Sequence, residues 1–563
     1  MSRLLVETFA KIDIPNSVQI NELMVGLSGE RLELRSKRFL DNILMQCHSA
    51  VVTAAVAMDN MPMRLLLCFN SGPARSSENL NGRAVADVSI ASQTIASVRL
   101  CSSGGSAESA NLEDQTFLVW IDDPETEIEQ AVLGRFKRWG FRNFPLIDDY
   151  FHQRKHDRHN RLLRKRLASF AANRPLVAPP RSIPLHNGDR REQIGALQPP
   201  RKGNVILFSL YWLDFGGAEA FAIQAMKAAK NAGYTVIVVA EEVARHRLLD
   251  KLKEVVDVAY LIGNFNYDLR RSDLFQRIVR VHRPSILHIH HSSTAYRLLP
   301  VFCLLDDRPA VIDTTHILEH RHGGFVYDSI RYSQYIDQHH VISRDLEQIY
   351  VTADRRLATK VKLGRLHEMS RHFAPTVGKW SKRLPVRVAF VGRLVEQKRP
   401  YLFLEVARRL SRRFKPSEVS FSLAGVGYLR DFLKERATDI GISERLTFFP
   451  GAYPMSEIFA ESHVVINCSE NEGLALTSYE GIMARCIVLS TDVGGQRELT
   501  AQSCLFSREP GACVRGMVKL VSRLIAGQLE PAPILDEQDR LLAAANGDKC
   551  GTDVCLDFYK AFH

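Results

Sequence analysis

Apolar residues recur in two long series in the second half of the chain, as short continuous runs separated by amphipathic stretches. The first series opens with VILFSLYW and continues through YTVIVVA, SILHIHH and AVIDTTH. The second opens with VRVAFVG and continues through VSFSLAG, LTFFPG, HVVINCS and CIVLSTDV. Short, almost wholly apolar runs are typical of strands buried on both faces of a parallel sheet, with the intervening helices covering those faces. The pattern therefore predicts an α/β fold with two Rossmann-like, doubly wound lobes that face a cleft.

The same pattern sets the domain boundaries. We expect a first lobe at residues 204–380 and a second lobe at 381–563, whose C-terminal helix can pack back on the first. Prolines recur between residues 174 and 203, and at that density they interrupt helices and sheets, so residues 151–203 are interpreted as a basic segment and a linker. Residues 1–150 mix helical stretches with strand-like runs, which predicts an additional N-terminal α/β or α+β domain of unknown role.

Composition excludes several classes of protein. The chain has 563 residues, of which 45% are hydrophobic and 24% charged, as in soluble globular proteins with several cores. No stretch approaches the 18 or so apolar residues of a membrane span, and the N-terminus lacks the pattern of a signal peptide. The ten cysteines form no CxxC pair, which argues against zinc ribbons and favours thiols in a reducing cytoplasm. We therefore expect a cytoplasmic protein.

The net charge of +11 is concentrated in part in one segment, RKHDRHNRLLRKR at residues 154–166. An apolar stripe of Leu163, Leu167 and Phe170 follows helical spacing beside these cations. The pattern is typical of a basic amphipathic helix at 154–172 that makes peripheral contact with an anionic membrane, although a solvated helix docked on its own domain gives the same pattern. We expect no nucleic-acid binding, because no basic groove with interleaved aromatic residues is present.

The carboxyl ends of the predicted strands carry the candidate chemistry, because ligands of open α/β sheets bind there. Gly216 and Gly217 form a turn before the first helix, where backbone amides can approach an anion. In the second lobe, Arg393 and Lys398 follow the strand VRVAFVG and offer two cations suited to a diphosphate without a metal ion. No DxD pair of carboxylates is present to bridge a metal.

A second pair of charged residues, Glu472 and Glu480, follows the strand HVVINCS where a helix is expected to begin. Eight helical residues would separate the two carboxylates by about 12 Å along the axis. A diphosphate at the helix N-terminus would then have one carboxylate near each of its two sugars.

Taken in order, the segments GGAE, GRLVEQK, LAGVG, E-x7-E and TDVGG resemble the retaining glycosyltransferases of family four, over residues 203–563. The resemblance implies a GT-B fold and metal-independent transfer of a sugar from a nucleotide-diphospho-sugar to a saccharide or lipid-linked acceptor. Polysaccharide or glycolipid assembly is a setting that the resemblance suggests. The family often has Gly or Pro where this chain has Ala475.

The resemblance also implies roles for individual residues. Arg393 and Lys398 would hold the diphosphate, Glu472 would lie by the donor sugar, and Glu480 by the ribose. The catalytic set is then Glu472, His316, Arg393 and Lys398. The expected donor-binding set is Gly216, Gly217, Arg393, Lys398, Gly425, Gly473, Leu474, Ala475, Leu476 and Glu480. No resident cofactor or metal is expected.

Other interpretations remain open at this point. A non-catalytic nucleotide-sugar-binding protein and a nucleotide-sugar epimerase are both compatible with a two-lobed scaffold. His316, Glu319 and His320 fit the H-x-x-E-H signature of a zinc peptidase, which requires the two histidines on one helix face. His288, His290 and His291 could bind a metal, although strand alternation places only the first two on one side.

Overall fold

The computed structural model describes residues 18–25, 37–57, 63–70, 78–79, 94–102, 115–122, 146–154 and 204–562, except for 148, 152, 215, 243, 265–270, 306, 320–322, 367–378, 382–384 and 451–452. Beyond Arg154, the predicted basic helix and the proline-rich linker lie outside these residues. None of the helices in the described ranges is long and apolar enough to cross a membrane.

The first lobe is built on a seven-stranded sheet in the order β12-β11-β10-β9-β6-β7-β8, in which every pair is parallel. Its strands are β6 (Val205–Leu210), β7 (Thr235–Ala240), β8 (Val258–Leu261), β9 (Ile286–His290), β10 (Ala310–Thr315), β11 (Gln338–Val341) and β12 (Val361–Leu363). Its helices are α2 (Gly217–Asn231), α3 (Arg271–His282), α4 (Ser293–Phe302), α5 (Gly324–Arg331) and α6 (Arg344–Ala353).

The second lobe is built on a six-stranded parallel sheet in the order β15-β14-β13-β16-β17-β18. Its strands are β13 (Val386–Val391), β14 (Val419–Ala424), β15 (Leu446–Phe449), β16 (Val464–Asn467), β17 (Ile487–Thr491) and β18 (Leu505–Phe506). Its helices are α7 (Pro400–Ser411), α8 (Arg430–Asp439), α9 (Met455–Glu461), α10 (Leu476–Met483), α11 (Pro510–Ile525) and α12 (Ala532–Gly547).

The two parallel sheets confirm the predicted α/β fold with two doubly wound lobes. The strands are buried almost throughout, as in β6 and β16, where every residue is buried. This burial explains why the sequence has continuous apolar runs in place of an alternating pattern. In both lobes the first strand lies inside the sheet, and the following strands are added first on one side of it and then on the other. This switch in strand order opens a crevice at the carboxyl ends.

The N-terminal block has an α+β arrangement. Its strands β1 (Val18–Val25), β2 (Met63–Asn70), β3 (Glu78–Asn79), β4 (Thr94–Ser102) and β5 (Gln115–Asp122) form a mixed sheet in the order β1-β4-β2-β5-β3. Helix α1 (Lys37–Ala57) shares one apolar core with the first lobe. The Asn42 side-chain amide donates to the His246 carbonyl at 2.9 Å, and the Leu261 amide donates to the Ser49 hydroxyl at 2.9 Å. The block is therefore packed directly on the first lobe.

The end of the chain returns from the second lobe to the first. Helix α13 (Gly551–Ala561) packs on α2, and its Tyr559 is wholly buried. The Tyr559 hydroxyl lies 2.6 Å from His288 Nδ1, and its carbonyl accepts a hydrogen bond from the Tyr234 hydroxyl at 2.7 Å. The first lobe thus includes a C-terminal helix that arrives after the whole second lobe.

Candidate active site

The loops that carry the candidate residues meet where the carboxyl edges of the two sheets face each other. His316 follows β10 in the first lobe, and Gly473 lies between β16 and α10 in the second. The two backbones are so close that a Cβ on Gly473 would overlap the His316 carbonyl oxygen. Gly217, the first residue of α2, lies opposite Leu476, the first residue of α10, and a Cβ there would be 3.4 Å from Leu476 Cδ1. The structure therefore brings the glycine turn, His316 and the Glu472 loop together.

Lys398 and Glu472 form an ion pair within the second lobe. Glu472 is buried and Lys398 is half-buried. The Ser469 hydroxyl lies 2.5 Å from the same Glu472 oxygen that Lys398 contacts. Two further hydrogen bonds join these loops, since the Glu470 amide donates to the Gln397 carbonyl at 2.8 Å and the Gln397 side chain donates to the Asn471 carbonyl at 3.1 Å. The predicted cation and the predicted carboxylate are thus direct neighbours.

Arg393 is exposed and lies on the cleft side of the same loop. Its guanidinium donates to the Gln397 side-chain oxygen at 3.3 Å. It also acts on Glu219 of the opposite lobe, where its positive charge favours the carboxylate form. The two predicted cations therefore differ: Lys398 is paired with a buried carboxylate, and Arg393 faces across the cleft.

Glu219 lies at the candidate site and was not among the residues predicted for it, although it is the last residue of the GGAE segment. Its carboxylate folds back over the turn, so that a Cβ on Gly216 would overlap it, and the Trp212 indole donates to it at 3.1 Å. Burial raises the pKa of Glu219 to about 7, and the backbone and Arg393 only partly offset this rise. The sequence feature that could have identified Glu219 is its place as an acidic residue in the first turn of a helix that begins at the glycine turn.

Glu480 lies on α10, and Glu472 lies four residues before that helix begins at Leu476. The estimate of about 12 Å along a helix axis was therefore wrong, because it assumed that all the residues between the two carboxylates are helical. The residue that precedes the helix, Ala475, makes no side-chain capping bond. Burial raises the pKa of Glu480 to about 7, so this carboxyl group is partly protonated at neutral pH.

The remaining predicted donor-binding residues line the same edge of the second lobe. Leu474 and Ala475 are buried next to Gly473, whose carbonyl accepts a hydrogen bond from the Gly495 amide at 2.6 Å. Gly425 follows β14 with a φ of +146°, and a Cβ there would overlap the Gly392 carbonyl oxygen. The backbone of Gly425 thus packs directly against Gly392, at the start of the Arg393 loop.

His316 is buried beside Phe221 and His291, with ring centroids 5.7 and 5.2 Å away. Burial holds the pKa of His316 well below its ordinary value, and the neighbouring His291 and His290 add to the effect. The imidazole is therefore neutral at pH 7. Its Nε2 has no hydrogen-bond partner among the described residues, and the same holds for both ring nitrogens of His290.

The segment that fits H-x-x-E-H does not form the helix that a zinc peptidase needs. Residues 316–318 are irregular, Glu319 makes an isolated bridge with Gly323, and His320 lies outside the described residues. His288 and His290 share one side of β9, with ring centroids 4.1 Å apart, while His291 stacks on Phe325. Within the part of the chain that the structure describes, no three His, Cys, Asp or Glu side chains are grouped so that they could hold a metal ion.

Both lobes contain a segment that matches a known family model. Residues 215–360 match the family model described as Glycosyltransferase Family 4, and residues 381–504 match the model described as Glycosyl transferases group 1. The two matches follow each other along the chain, one within the first lobe and one within the second. The resemblance to family-four glycosyltransferases is thereby confirmed for these residues.

Individual relatives are more distant. The chain is 34% identical over 115 residues to a D-inositol 3-phosphate glycosyltransferase of Nocardia farcinica, and 32% identical over 117 residues to that of Gordonia bronchialis. Each match covers 19% of this chain and 26% of the relative, so the chain spans about a quarter of the length of the curated relatives it matches. Among solved structures, HepE of Anabaena with UDP-glucose covers 63% of this chain and 98% of its own, at 16% identity and a TM-score of 0.49. A glycosyltransferase of Rickettsia africae covers 64% and 99%, at 14% identity and a TM-score of 0.47.

Proposed function

We propose that this chain, whose two lobes match glycosyltransferase family models in succession, is a retaining glycosyltransferase that uses a nucleotide-diphospho-sugar. The observation that carries the proposal is the convergence of Arg393, Lys398 and Glu472 on the edge of the second lobe that faces the glycine turn and His316. A protein that only binds a nucleotide-sugar would not need two cations and a buried carboxylate together at this edge of the second lobe.

The charges suit the departure of a nucleoside diphosphate. Negative charge grows on the phosphate that leaves, and preorganised cations stabilise it more in the transition state than in the bound substrate. Lys398 and Arg393 supply that charge in our proposal, and the first turn of α10 adds the positive end of a helix dipole. This arrangement makes a metal ion unnecessary for neutralising the diphosphate.

A retaining mechanism without a covalent intermediate requires no separate protein base. The acceptor hydroxyl attacks from the face on which the diphosphate departs, and an oxygen of the departing phosphate takes the hydroxyl proton. His316 is neutral, and in our proposal it hydrogen-bonds the donor sugar. Glu472, held against Lys398, offers negative charge near the anomeric carbon as that carbon becomes positive.

The acceptor that we propose is a saccharide or a lipid-linked saccharide, in polysaccharide or glycolipid assembly on the cytoplasmic side of a membrane. The inositol phosphate named for the two partial relatives is a further acceptor to include in an assay. Peripheral membrane contact through residues 154–172 stays a prediction from the sequence.

The test combines a donor screen with two cation variants. UDP-, GDP- and ADP-sugars are screened by thermal shift, and transfer or hydrolysis of any donor that binds is then measured. Arg393→Ala and Lys398→Ala should each lower kcat/KM more than about tenfold, because each loses a charge-assisted contact with the departing diphosphate. Arg515→Ala, which removes an exposed guanidinium on α11, is the control and should leave the rate unchanged.

Three outcomes would count against the proposal. Rates close to those of the unmodified protein in both cation variants would remove Arg393 and Lys398 from the site. Complete loss of activity with EDTA would contradict a metal-independent reaction. Donor binding without turnover on any acceptor, including water, would favour a non-catalytic nucleotide-sugar-binding protein.

A further inference from the structure

Arg399, the residue after Lys398, is a wholly buried cation in the second lobe. Its backbone has a φ of +48°, a left-handed conformation that a non-glycine residue keeps only where its surroundings hold it there. Its guanidinium donates to three backbone carbonyls, namely those of Cys468 at 2.6 Å, Arg508 at 2.9 Å and Ser469 at 3.3 Å. These bonds fasten the Lys398 loop to the loop that carries Glu472.

The carboxylate that neutralises Arg399 comes from outside both lobes. Asp149, in the segment 146–154 that follows the N-terminal sheet, accepts a hydrogen bond from Arg399 Nη1 at 2.8 Å. Its other oxygen accepts one from the Tyr401 hydroxyl at 2.7 Å. The side chains of Arg399 and Asp149 are 0% and 6% exposed, so the pair is shielded from water. Burial raises the pKa of Asp149, while Arg399 and Tyr401 act against that rise.

A buried guanidinium without its carboxylate is strongly unfavourable, because the charge has lost both water and its counter-charge. Arg399 without Asp149 would therefore tend to leave its three carbonyl partners for solvent. Its neighbour Lys398 and the Ser469–Glu472 loop would then lose the buried guanidinium bonds between them and keep only the contacts of Gln397 and of Lys398 itself. The effect would reach the ion pair between Lys398 and Glu472 although Asp149 contacts neither residue.

We propose that Asp149 is a positioning residue for the donor diphosphate: it holds Arg399, and through Arg399 it fixes Lys398 beside Glu472. The segment at residues 146–154, which carries Asp149, is then a structural part of the donor site. Asp149 lies outside the two segments that match glycosyltransferase family models, which begin at residue 215. This inference rests on the proposed function, because it takes Lys398 to be a ligand of the diphosphate.

The experiment is a double-mutant cycle on the full chain with nucleoside diphosphates as probes. UDP, GDP and ADP are titrated calorimetrically into the unmodified protein, and the diphosphate that binds most tightly is used for the variants. Asp149→Asn should weaken its binding about tenfold, the effect expected when a charge-assisted contact is misplaced. The same substitution in a Lys398→Ala background should change the affinity less than about twofold, because the residue it positions is already missing.

Two further variants separate positioning from general stability. Glu405→Gln removes a carboxylate of α7 that pairs with Arg408 and Arg409, which belong to the same helix and not to the donor loops. It is the matched control and should lower the thermal midpoint without changing diphosphate affinity. Tyr401→Phe removes one hydrogen bond of Asp149 and leaves the ion pair, so it tests the inference if Asp149→Asn does not fold. We expect about threefold weaker binding in the presence of Lys398 and no change in its absence.

The outcomes that overturn the inference differ from those that overturn the proposed function. Unchanged diphosphate affinity in Asp149→Asn, or in Tyr401→Phe if the first variant does not fold, overturns the positioning role alone. An equal loss with and without Lys398 does the same, because it indicates a general structural effect. If the unmodified protein binds none of the three diphosphates, the proposed function fails and the inference fails with it.

Discussion

Glu472 and Glu480 occupy different environments, and this difference predicts different kinetic roles. Glu472 is buried against Lys398 before α10 begins, whereas Glu480 is half-buried on the helix itself. Glu472→Gln should mainly lower kcat, by more than about tenfold, because its charge acts on the positive charge that develops at the sugar. Glu480→Gln should mainly raise the donor KM, because ribose contacts are as strong in the bound substrate as in the transition state.

Steady-state kinetics and the thermal midpoint, measured on both variants, distinguish these roles from a purely structural one. If Glu472 only supports the fold, the midpoint falls while the turnover per folded molecule is retained. Glu472 is not the N-cap of α10, because that helix begins after Ala475, without a side-chain cap.

Glu219 makes the stability of the protein depend on pH. Its folded-state pKa of about 7 lies above the value of about 4.3 expected in the unfolded chain. A raised carboxyl pKa stabilises the folded state below the unfolded pKa, and that contribution is lost as the pH rises through 7. Glu219→Gln should therefore gain stability relative to the unmodified protein between pH 4.5 and pH 8, by about 3 kcal/mol.

Urea unfolding at several pH values tests this expectation, with the exposed Glu254→Gln as the control that should leave the pH dependence unchanged. The same ionisation places negative charge over the Gly216 turn, where the diphosphate is expected. Donor affinity should fall above pH 7 in the unmodified protein and stay flat in Glu219→Gln. A parallel fall in both would assign the pH dependence to another group.

At the scale of elements, the strands were predictable and the start of α10 was not. Continuous apolar runs identify β6 and β16 because both faces of a parallel sheet are covered. The start of α10 depends on tertiary contacts: residues 472–475 are held out of the helix by Lys398 and by the backbone of the opposite lobe. No local pattern encodes that restraint, so the sequence placed Glu472 at the helix start.

Two glycines of the site should respond differently to the same substitution. Gly425→Ala sets a Cβ against the Gly392 carbonyl within one sheet, at a φ of +146°. It should lower the stability of the second lobe by roughly 1–3 kcal/mol. Gly473→Ala sets a Cβ against the His316 carbonyl of the other lobe, and the overlap can be relieved if the lobes separate.

Gly473→Ala should therefore keep a thermal midpoint close to that of the unmodified protein. Its kcat/KM should fall more than about tenfold, because a shift of about 1 Å between reacting groups has an effect of this size or larger. Thermal denaturation and kinetics on both variants test the contrast. Equal losses of stability in the two variants would show that the contact between Gly473 and His316 is part of the folded core and not of an opening cleft.

For the whole molecule, contacts between distant parts of the chain were the least predictable from the sequence. Asp149 carries no motif, and its role depends on a guanidinium 250 residues away. Tyr559 contacts His288, from which it is separated in sequence by 271 residues, including the whole second lobe. Local patterns report which residues are buried but not which distant partner covers them. The tandem lobes and the return of the C-terminal helix could therefore be predicted, and the individual side-chain contacts could not.

Arg365 is the clearest of these connections. It is 2% exposed at the end of the first lobe and contacts Glu498 of the second lobe at 2.5 Å and Asp548, just before the C-terminal helix, at 2.9 Å. The Glu498 carboxylate also accepts hydrogen bonds from the backbone amides of Arg344 and Asp345 at the start of α6, each at 3.2 Å. One buried cation therefore connects both lobes and the end of the chain.

Arg365→Met keeps much of the side-chain volume and leaves two carboxylates without their buried cation. We expect it to lower the free energy of unfolding by about 3 kcal/mol, the effect of removing one partner from a buried ion pair. Arg356→Met is the matched control, since the Arg356 guanidinium pairs with Asp354 in solvent and such exposed pairs contribute little. Urea unfolding followed by tryptophan fluorescence measures both. If the lobes depend on Arg365 for their association, the variant should also unfold in two resolved steps. A single step at unchanged denaturant concentration would mean that other contacts, those of α13 among them, hold the lobes together.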